Sequence, residues 1–350
     1  MIDETFLNAR ADAFPDFWNR RVDAAQFEFQ TFGYGYEICF QTNHRAVLDA
    51  IKISAGRYPR AQALPDHPKI QIRVLVIPSL PATPIPENMS ELIQTVGVGD
   101  LLMQAVTPWL QWVTDISART CAMVISEALA REPWQLSRSI LDRAMLNLLV
   151  REGVAQLHST TLVRDECALL FIAPHGTGKS TTAFHLLHHG FRLMGDGLLF
   201  AREVGDTGKF ELMGYPVGEA KLTTAAKPLF PEWDGEGLEL TAHGILKHIV
   251  NLRAIAPHKM IDTSVVPQRT ILCLAERNGQ PHTTAERLNA EETFTRVLPD
   301  TIFWDEPEAM LRSLHAVRRL IEHSDCYKLT LGADREQLVR TILELERIPI

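Results

Sequence analysis

The sequence has few cysteines, no long apolar run and no basic start. Its five cysteines, in 350 residues, are scattered and form no CxxC pair. An odd number of isolated cysteines argues against a disulfide framework and predicts buried thiols in a reducing compartment. The longest apolar runs have the length of a strand, and the opening residues are acidic, so we expect neither a membrane span nor a signal peptide. These absences predict a cytoplasmic protein.

The sequence also lacks an excess of positive charge. Its 35 lysines and arginines stand against 43 aspartates and glutamates, which gives a formal net charge of −8. That balance argues against non-specific nucleic-acid binding, so an anionic ligand would have to be bound by a local cluster of positive groups. Apolar residues make up 46% of the chain and charged residues 22%, which is typical of a globular protein. We expect no nucleic-acid and no membrane partner.

The distribution of apolar residues divides the chain into two parts. Residues 1–26 have the apolar spacing of a helix, and residues 27–41 predict a strand or a hairpin interrupted at Gly33 and Gly35. Strand-like stretches continue to residue 126, and residues 133–151 have the periodicity of a long helix. We predict a smaller α+β domain over residues 1–128 and an α/β domain over residues 129–350 that contains every chemical motif.

The other motifs of the second domain are arranged around one stretch, residues 167–180. An apolar run over 167–172 predicts a buried strand, a glycine-bearing loop follows, and Lys179 and Ser180 open a helix. The P-loop pattern G-x-x-x-x-G-K-[ST] is matched at Gly178, Lys179 and Ser180, while Ala173 replaces its first glycine. Small residues in such a loop let backbone N–H groups surround an anion at the positive end of a helix. The alternative is a strand-turn-helix whose glycines only permit a tight turn.

The P-loop interpretation assigns a role to each residue of this stretch. Lys179 would neutralise the β- and γ-phosphates of a nucleotide, and the Ser180 hydroxyl would ligate Mg²⁺. The predicted nucleotide-binding residues are His175, Gly176, Thr177, Gly178, Lys179, Ser180 and Thr181.

Two further residues stand in fixed order around this stretch. His158 lies at the end of a predicted strand before the loop, and Asp196 ends a short predicted strand, 191–196, after it. We expect the strand of Asp196 to neighbour the P-loop strand, so that the carboxylate lies at the edge of the sheet where ligands bind. Asp196 could hold the metal together with Ser180, take a proton from the substrate, or begin a turn. His158 is either a site residue or a packing residue.

The order and spacing of these motifs resemble the HPr kinase/phosphorylase family. The resemblance rests on Leu157-His158-Ser159-Thr160, Gly176-Thr177-Gly178-Lys179-Ser180 and Gly190-Phe191-Arg192-Leu193-Met194-Gly195-Asp196, and it covers roughly residues 133–350. It implies an α/β fold with a mixed central sheet like that of HPr kinase and PEP carboxykinase. It also implies ATP and Mg²⁺ as cofactors, transfer of the γ-phosphoryl group to a hydroxyl, and catalytic roles for Asp196, Lys179 and His158. Asp196 would then be the base and would share in metal binding.

The chain departs from the family pattern at several positions. Gly197 stands where the family has a second aspartate, and His175 stands where a small polar residue is common. The downstream Glu-(Ile/Val)-Arg-Gly motif is blurred into residues 239–244. These departures argue against the reverse, phosphorolytic reaction and leave a one-way kinase.

The acceptor and its binding residues are less defined by the sequence. Lys221, Lys247 and Arg253 are candidates for phosphate or substrate contact, the alternative being solvated surface side chains. The aromatic strands near residues 27–36 predict acceptor recognition by the first domain, unless those aromatics form its core. The acceptor would be a serine of a protein or peptide, or a small hydroxy compound, and oligomerisation stays open. The alternatives are a nucleotide-binding regulatory module and an NTPase without phosphotransfer.

Overall fold

The structure is a computed structural model of the whole chain. It describes residues 25–82, 93–107, 109–233, 238–240, 246–300 and 307–347. By its internal contacts the chain forms two compact units. The first unit gives way to the second between Glu152 and Gly153, and the short segment Pro59–Ala61 also belongs to the second unit. Each unit contains a large mixed sheet with helices, so the chain is a mixed α/β protein.

The first unit is built on a seven-stranded sheet in the order β1-β2-β3-β7-β6-β5-β4. Strands β2, β3 and β7 run parallel, and the remaining pairs are antiparallel. Its strands are β1 (Phe27–Gly33), β2 (Tyr36–Thr42), β3 (Lys69–Ile77), β4 (Gln94–Val98), β5 (Leu101–Thr107), β6 (Leu110–Asp115) and β7 (Thr120–Ser126). Its helical segments are α1 (Val47–Ala55), α2 (Glu127–Ala130), α3 (Pro133–Gln135), a π-helical turn (Leu136–Leu141) and α4 (Asp142–Arg151).

The predicted hairpin at the start of this unit is present. Tyr34 and Gly35 both have positive φ angles, of 56° and 91°, and they join β1 to β2 in a two-residue turn. The side chains of Tyr34 and Tyr36 are almost fully buried, whereas Phe27 and Phe29 are partly exposed. The two tyrosines therefore belong to the core of this unit and offer no surface for recognition.

The second unit is built on another seven-stranded sheet in the order β11-β10-β8-β9-β15-β17-β16. Strands β9, β15 and β17 are parallel, and the other neighbours pair antiparallel. Its strands are β8 (Ala155–Arg164), β9 (Cys167–Ile172), β10 (Arg192–Glu203), β11 (Phe210–Tyr215), β15 (Arg269–Arg277), β16 (Thr284–Arg287) and β17 (Asp325–Leu331). Its helices are α5 (Lys179–Leu187), α6 (Leu252–Ile255), α7 (Ala290–Val297), α8 (Pro307–Glu322) and α9 (Arg335–Arg347).

Both faces of this sheet are covered, which explains the continuous apolar run of β9. All six of its side chains are buried. Leu169 and Phe171 pack on one face with residues of α5 and α9, and Leu170 and Ile172 pack on the other with residues of α7 and α8. A strand buried on both faces loses the polar–apolar alternation of a half-exposed strand. The core thus fixes the start of the loop that follows β9.

A three-stranded sheet, in the order β12-β14-β13, completes the second unit. Its antiparallel strands are β12 (Glu219–Thr223), β13 (Leu238–Leu240) and β14 (Leu246–Asn251). This sheet was not predicted from the sequence. Its strands are only three to six residues long, too short for a clear period.

Three predictions about the strands near the motifs were wrong. Residues 192–203 form one strand, so Asp196 lies inside β10 and does not end a strand, and His158 lies inside β8 in the same way. Strand β10 does not neighbour β9, because β8 lies between them. The sequence pattern missed this because Gly195 and Gly197 interrupt the apolar run of β10 and look like a turn.

Three further predictions concern the N-terminal helix, the domain boundary and membrane-spanning segments. The helical lead-in over 1–26 lies almost wholly outside the described residues. The domain boundary at residue 128 stays a prediction. In the structure α4 belongs to the first unit, because the change to the second unit comes after Glu152. No helix in the described part of the chain combines the length and apolarity needed to cross a bilayer.

Gly195 permits a close approach of β10 to the end of β11. A Cβ atom added there would lie 2.7 Å from the backbone nitrogen of Tyr215 and 2.9 Å from the Cα atom of Gly214. We therefore expect Gly195→Ala to lower the free energy of unfolding by about 1–3 kcal/mol, measured by chemical denaturation. Gly97→Ala is the control, since its added methyl group would meet only ordinary contacts at 3.8 Å. Equal stabilities for the two variants would contradict this close approach.

Candidate functional site

The loop between β9 and α5 is shaped by two glycines. Gly176 and Gly178 have φ angles of 81° and 111°, a region that side chains with a Cβ atom rarely adopt. A Cβ atom at Gly178 would also lie 2.8 Å from a guanidinium nitrogen of Arg277. Gly178 is the N-cap of α5, so the first N–H groups of this nine-residue helix follow it directly. The 173–178 loop therefore delivers a helix N-terminus to one edge of the sheet.

The side chain of Lys179 folds back over this loop. Its ammonium group donates a hydrogen bond to the carbonyl oxygen of Ala173 and another, at 3.5 Å, to that of Pro174. A carbonyl oxygen is a weaker partner for an ammonium group than a phosphate is. The lysine thus holds a positive charge beside the N-terminus of α5 through contacts that an anion can replace.

Asp196 connects three separate elements. Its Oδ1 atom accepts hydrogen bonds from Thr160 Oγ1 at 2.6 Å and Ser180 Oγ at 2.9 Å, and its Oδ2 atom accepts one from the backbone N–H of Lys221 at 2.9 Å. Thr160 lies directly opposite Asp196 in the β8–β10 pairing and opposite Phe171 in the β8–β9 pairing. The carboxylate is therefore level with the end of β9, which lets a residue inside β10 reach the start of α5.

Ser180 and Asp196 together offer two oxygen ligands 2.9 Å apart. Among the described residues there is no group of three or more histidines, cysteines and acidic residues that could enclose a metal ion. Mg²⁺ does not need such a cage, since it is commonly held by one or two protein oxygens together with water and phosphate oxygens. The donor set at Ser180 and Asp196 therefore fits Mg²⁺ and does not fit a histidine- or cysteine-bound metal.

Two histidines lie beside these residues. The rings of His158 and His175 are 4.9 Å apart at an angle of 43°. Burial, and after it the nearby charges of Lys179 and His175, lower the pKa of His158 to about 3, while Asp196 acts in the opposite direction. His158 is therefore neutral near pH 7 and presents an uncharged imidazole to the site.

These residues line a cavity of about 500 Å³. Four cationic side chains face it, and Asp196 is the single carboxylate among its described lining residues. The four are Lys179, Lys221, Lys247 and Arg277. In a chain whose net charge is −8, such a cluster provides the local positive field that an anionic ligand requires.

The structure brings together most of the predicted site residues. The cavity lining includes His158, Asp196 and residues 174–181. Lys221 and Lys247 also line it, whereas Arg253 does not belong to the lining and lies 3.7 Å from Asp262.

The sequence analysis missed Thr160 and Arg277. Arg277 is the last residue of β15, which runs parallel to β9, so both strands end at the same edge of the sheet. The position of Arg277 could have been predicted by comparing the ends of the two buried strands. The role of Thr160 could not have been predicted, because it depends on the register of β8 with β10.

Comparison with known proteins adds little to this geometry. No protein-family model matches the chain, and no curated protein matches its sequence. The solved structure of the Hpr(Ser) kinase/phosphatase from Coxiella burnetii is 11% identical over 55% of this chain and 94% of that chain, with a TM-score of 0.26. This is a distant structural similarity, too low to carry an argument about function.

The lowered pKa of His158 has a consequence for the ligand-free protein. The folded chain should keep this imidazole neutral from about pH 8 to pH 5, whereas the unfolded chain binds the proton near pH 6.5. Stability is therefore lost as the pH falls below 6.5, by up to about 1.4 kcal/mol per pH unit from this residue.

NMR titration of the imidazole Hε1 signal, assigned by its absence in His158→Gln, should show no midpoint between pH 5 and about pH 8. His158→Gln should also lose less stability on acidification than the wild type. A midpoint near 6.5 for His158 would contradict its burial beside positive charge.

Proposed function

We propose that this protein binds ATP with Mg²⁺ and transfers the γ-phosphoryl group to a hydroxyl. The observation that carries the proposal is the hydrogen bond from Ser180 to Asp196 at the N-terminus of α5, inside a cavity lined by four cations. Phosphoryl transfer depends chiefly on positioning and on neutralising charge, and these groups supply both. The order of the sequence motifs supports the same interpretation.

The 173–178 loop and α5 would bind the phosphates. Backbone N–H groups at the start of α5 would donate to phosphate oxygens, and the positive end of the helix would add to the attraction. Lys179 would exchange its bonds to the carbonyls of Ala173 and Pro174 for bonds to the phosphates. Arg277, against Gly178, would add a second cation.

Ser180 and Asp196 would hold Mg²⁺, which supplies neutralisation of the charge on the phosphates when it is bound. Ser180 would then give up its hydrogen bond to Asp196, so that both oxygens become available. The bonds to Asp196 from Thr160 and from the backbone of Lys221 would keep the carboxylate oriented. The Oδ2 atom, which faces Lys221 and not Ser180, is the oxygen that could take the hydroxyl proton of the acceptor.

A nucleotide-binding module without transfer is the second candidate. The observation that favours it is that Asp196, the single carboxylate in the described lining, already accepts three hydrogen bonds. Gly197 provides no second acid beside it. Phosphoryl transfer depends chiefly on positioning and charge neutralisation, which one carboxylate and four cations can supply, so we favour transfer. ADP formation that requires an acceptor separates transfer from a plain NTPase and from a silent module.

Lys179→Ala should abolish stabilisation of the protein by Mg·ATP, because the variant lacks the ammonium group next to the phosphates. The measurement is the shift in thermal unfolding midpoint with increasing nucleotide, which reports binding to the folded state. Lys209→Ala is the matched control, since Lys209 is exposed and lies outside the cavity lining. If ATP stabilises Lys179→Ala as much as wild type, the phosphate assignment is wrong.

Asp196→Asn should still bind ATP but should form ADP more slowly by a factor of roughly 10²–10⁴, as expected for loss of a group that acts on the reacting atoms. Acceptor-dependent ADP formation and nucleotide affinity should be measured on the same preparation. Asp206→Asn, in an exposed turn, is the control and should behave like wild type. Full activity of Asp196→Asn would rule out both proposed roles of this carboxylate.

A further inference from the structure

Two of the four cations, Lys221 and Lys247, lie on the three-stranded sheet and form, with Thr223, one wall of the cavity. Thr223 and Lys247 are directly paired across β12 and β14, so their side chains point to the same face. Lys221 is two residues before Thr223 on β12 and therefore shares that face. All three residues line the cavity. The register thus explains why two lysines from different strands face one space.

This wall contacts a different oxygen of Asp196 than helix α5 does. The backbone N–H of Lys221 donates to Oδ2, whereas Ser180 donates to Oδ1. Lys179 and Arg277 contact the loop itself, at Ala173 and Gly178. The four cations therefore form two pairs, one at the loop and one on the small sheet.

The cavity is lined by two lysines, Lys221 and Lys247, in addition to the cations at the loop. Backbone N–H groups, the α5 N-terminus, Lys179 and Arg277 already serve the phosphates in the proposed function. Burial is the main cause of the lowered pKa of His158, and Lys247 also contributes to it, so Lys247 is close to His158 in the cavity. A second anionic group beside the nucleotide would lie within reach of both lysines.

We propose that the acceptor is a small hydroxy compound carrying a carboxylate or phosphate group, which Lys221 and Lys247 bind so that its hydroxyl lies at Asp196 Oδ2. The inference rests on the proposed function and names its substrate class. The acceptor oxygen forms a bond to the γ-phosphorus, and the bond from that phosphorus to the β,γ-bridging oxygen breaks. ADP leaves with that electron pair, and the hydroxyl proton passes to the Asp196 carboxylate and then to water.

Three probes with the same three-carbon skeleton separate the contributions of charge and hydroxyl. They are glycerol, which is neutral, glycerate, which carries a carboxylate, and glycerol 3-phosphate, which carries a phosphate. Each is titrated calorimetrically into the full chain saturated with Mg²⁺ and a non-hydrolysable ATP analogue. ADP formation with ATP is then measured for each probe. The variants are the double substitution Lys221→Gln with Lys247→Gln, and the control Lys52→Gln with Lys209→Gln at exposed positions.

We expect at least one of the two anionic probes to bind the analogue-saturated protein and to raise ADP formation, and glycerol to do neither. The Lys221/Lys247 variant should bind that anion roughly tenfold or more weakly, because each lysine removed is a charged hydrogen-bond donor. Its affinity for the analogue should change by less than about threefold. The anion that succeeds distinguishes a carboxylate-bearing from a phosphate-bearing acceptor.

Three results would overturn the inference. Equal behaviour of glycerol and both anions, or anion binding that persists in the double variant, would show that the two lysines do not select an acceptor. A loss of roughly tenfold or more in analogue affinity would assign them to the triphosphate. If wild-type protein does not bind the analogue at all, the proposed function fails by that separate measurement, and the acceptor assignment fails with it.

Discussion

The carboxylate of Asp196 is buried, and its surroundings are arranged to satisfy it. A buried carboxylate without partners is costly, so the elements that approach it must bring donors. Strand β8 brings the hydroxyl of Thr160, helix α5 brings that of Ser180, and strand β12 brings the backbone N–H of Lys221. Three elements distant in sequence are thereby held around one point. The cavity, the start of α5 and the wall formed by Lys221, Thr223 and Lys247 all lie around this carboxylate.

The site carries a cluster of positive charge, whereas the chain as a whole is negatively charged. A net charge of −8 repels free anions at long range, yet four cationic side chains face the cavity against a single described carboxylate. Screening at physiological ionic strength limits the long-range repulsion to about 8 Å, so the local cluster dominates inside the cavity. His158 remains neutral there and adds no further charge. The proposed nucleotide and anionic acceptor are both consistent with this local field.

Sequence reasoning succeeded where structure is set by neighbouring residues. The run of β9, the glycines at 176 and 178 and the hairpin at Tyr34 and Gly35 are local features, and they were recognisable in the chain. It failed where strand pairing decides the outcome. The position of Asp196 inside β10, the strand between β10 and β9, and the small sheet all depend on contacts between distant segments. The role of Thr160 depends on the register of β8 with β10 and emerged only with the structure, whereas the position of Arg277 could have been predicted from the ends of the two buried strands.

The most direct test of the account is the location of the metal and the phosphates. A crystal of the protein with Mn²⁺ and a non-hydrolysable ATP analogue would place the cation by its anomalous scattering. If the proposed function is right, the cation lies between the Ser180 Oγ atom and the Asp196 carboxylate, with the phosphates at the N-terminus of α5 and beside Lys179. An analogue bound outside this cavity, or a cation bound away from Ser180 and Asp196, would contradict it.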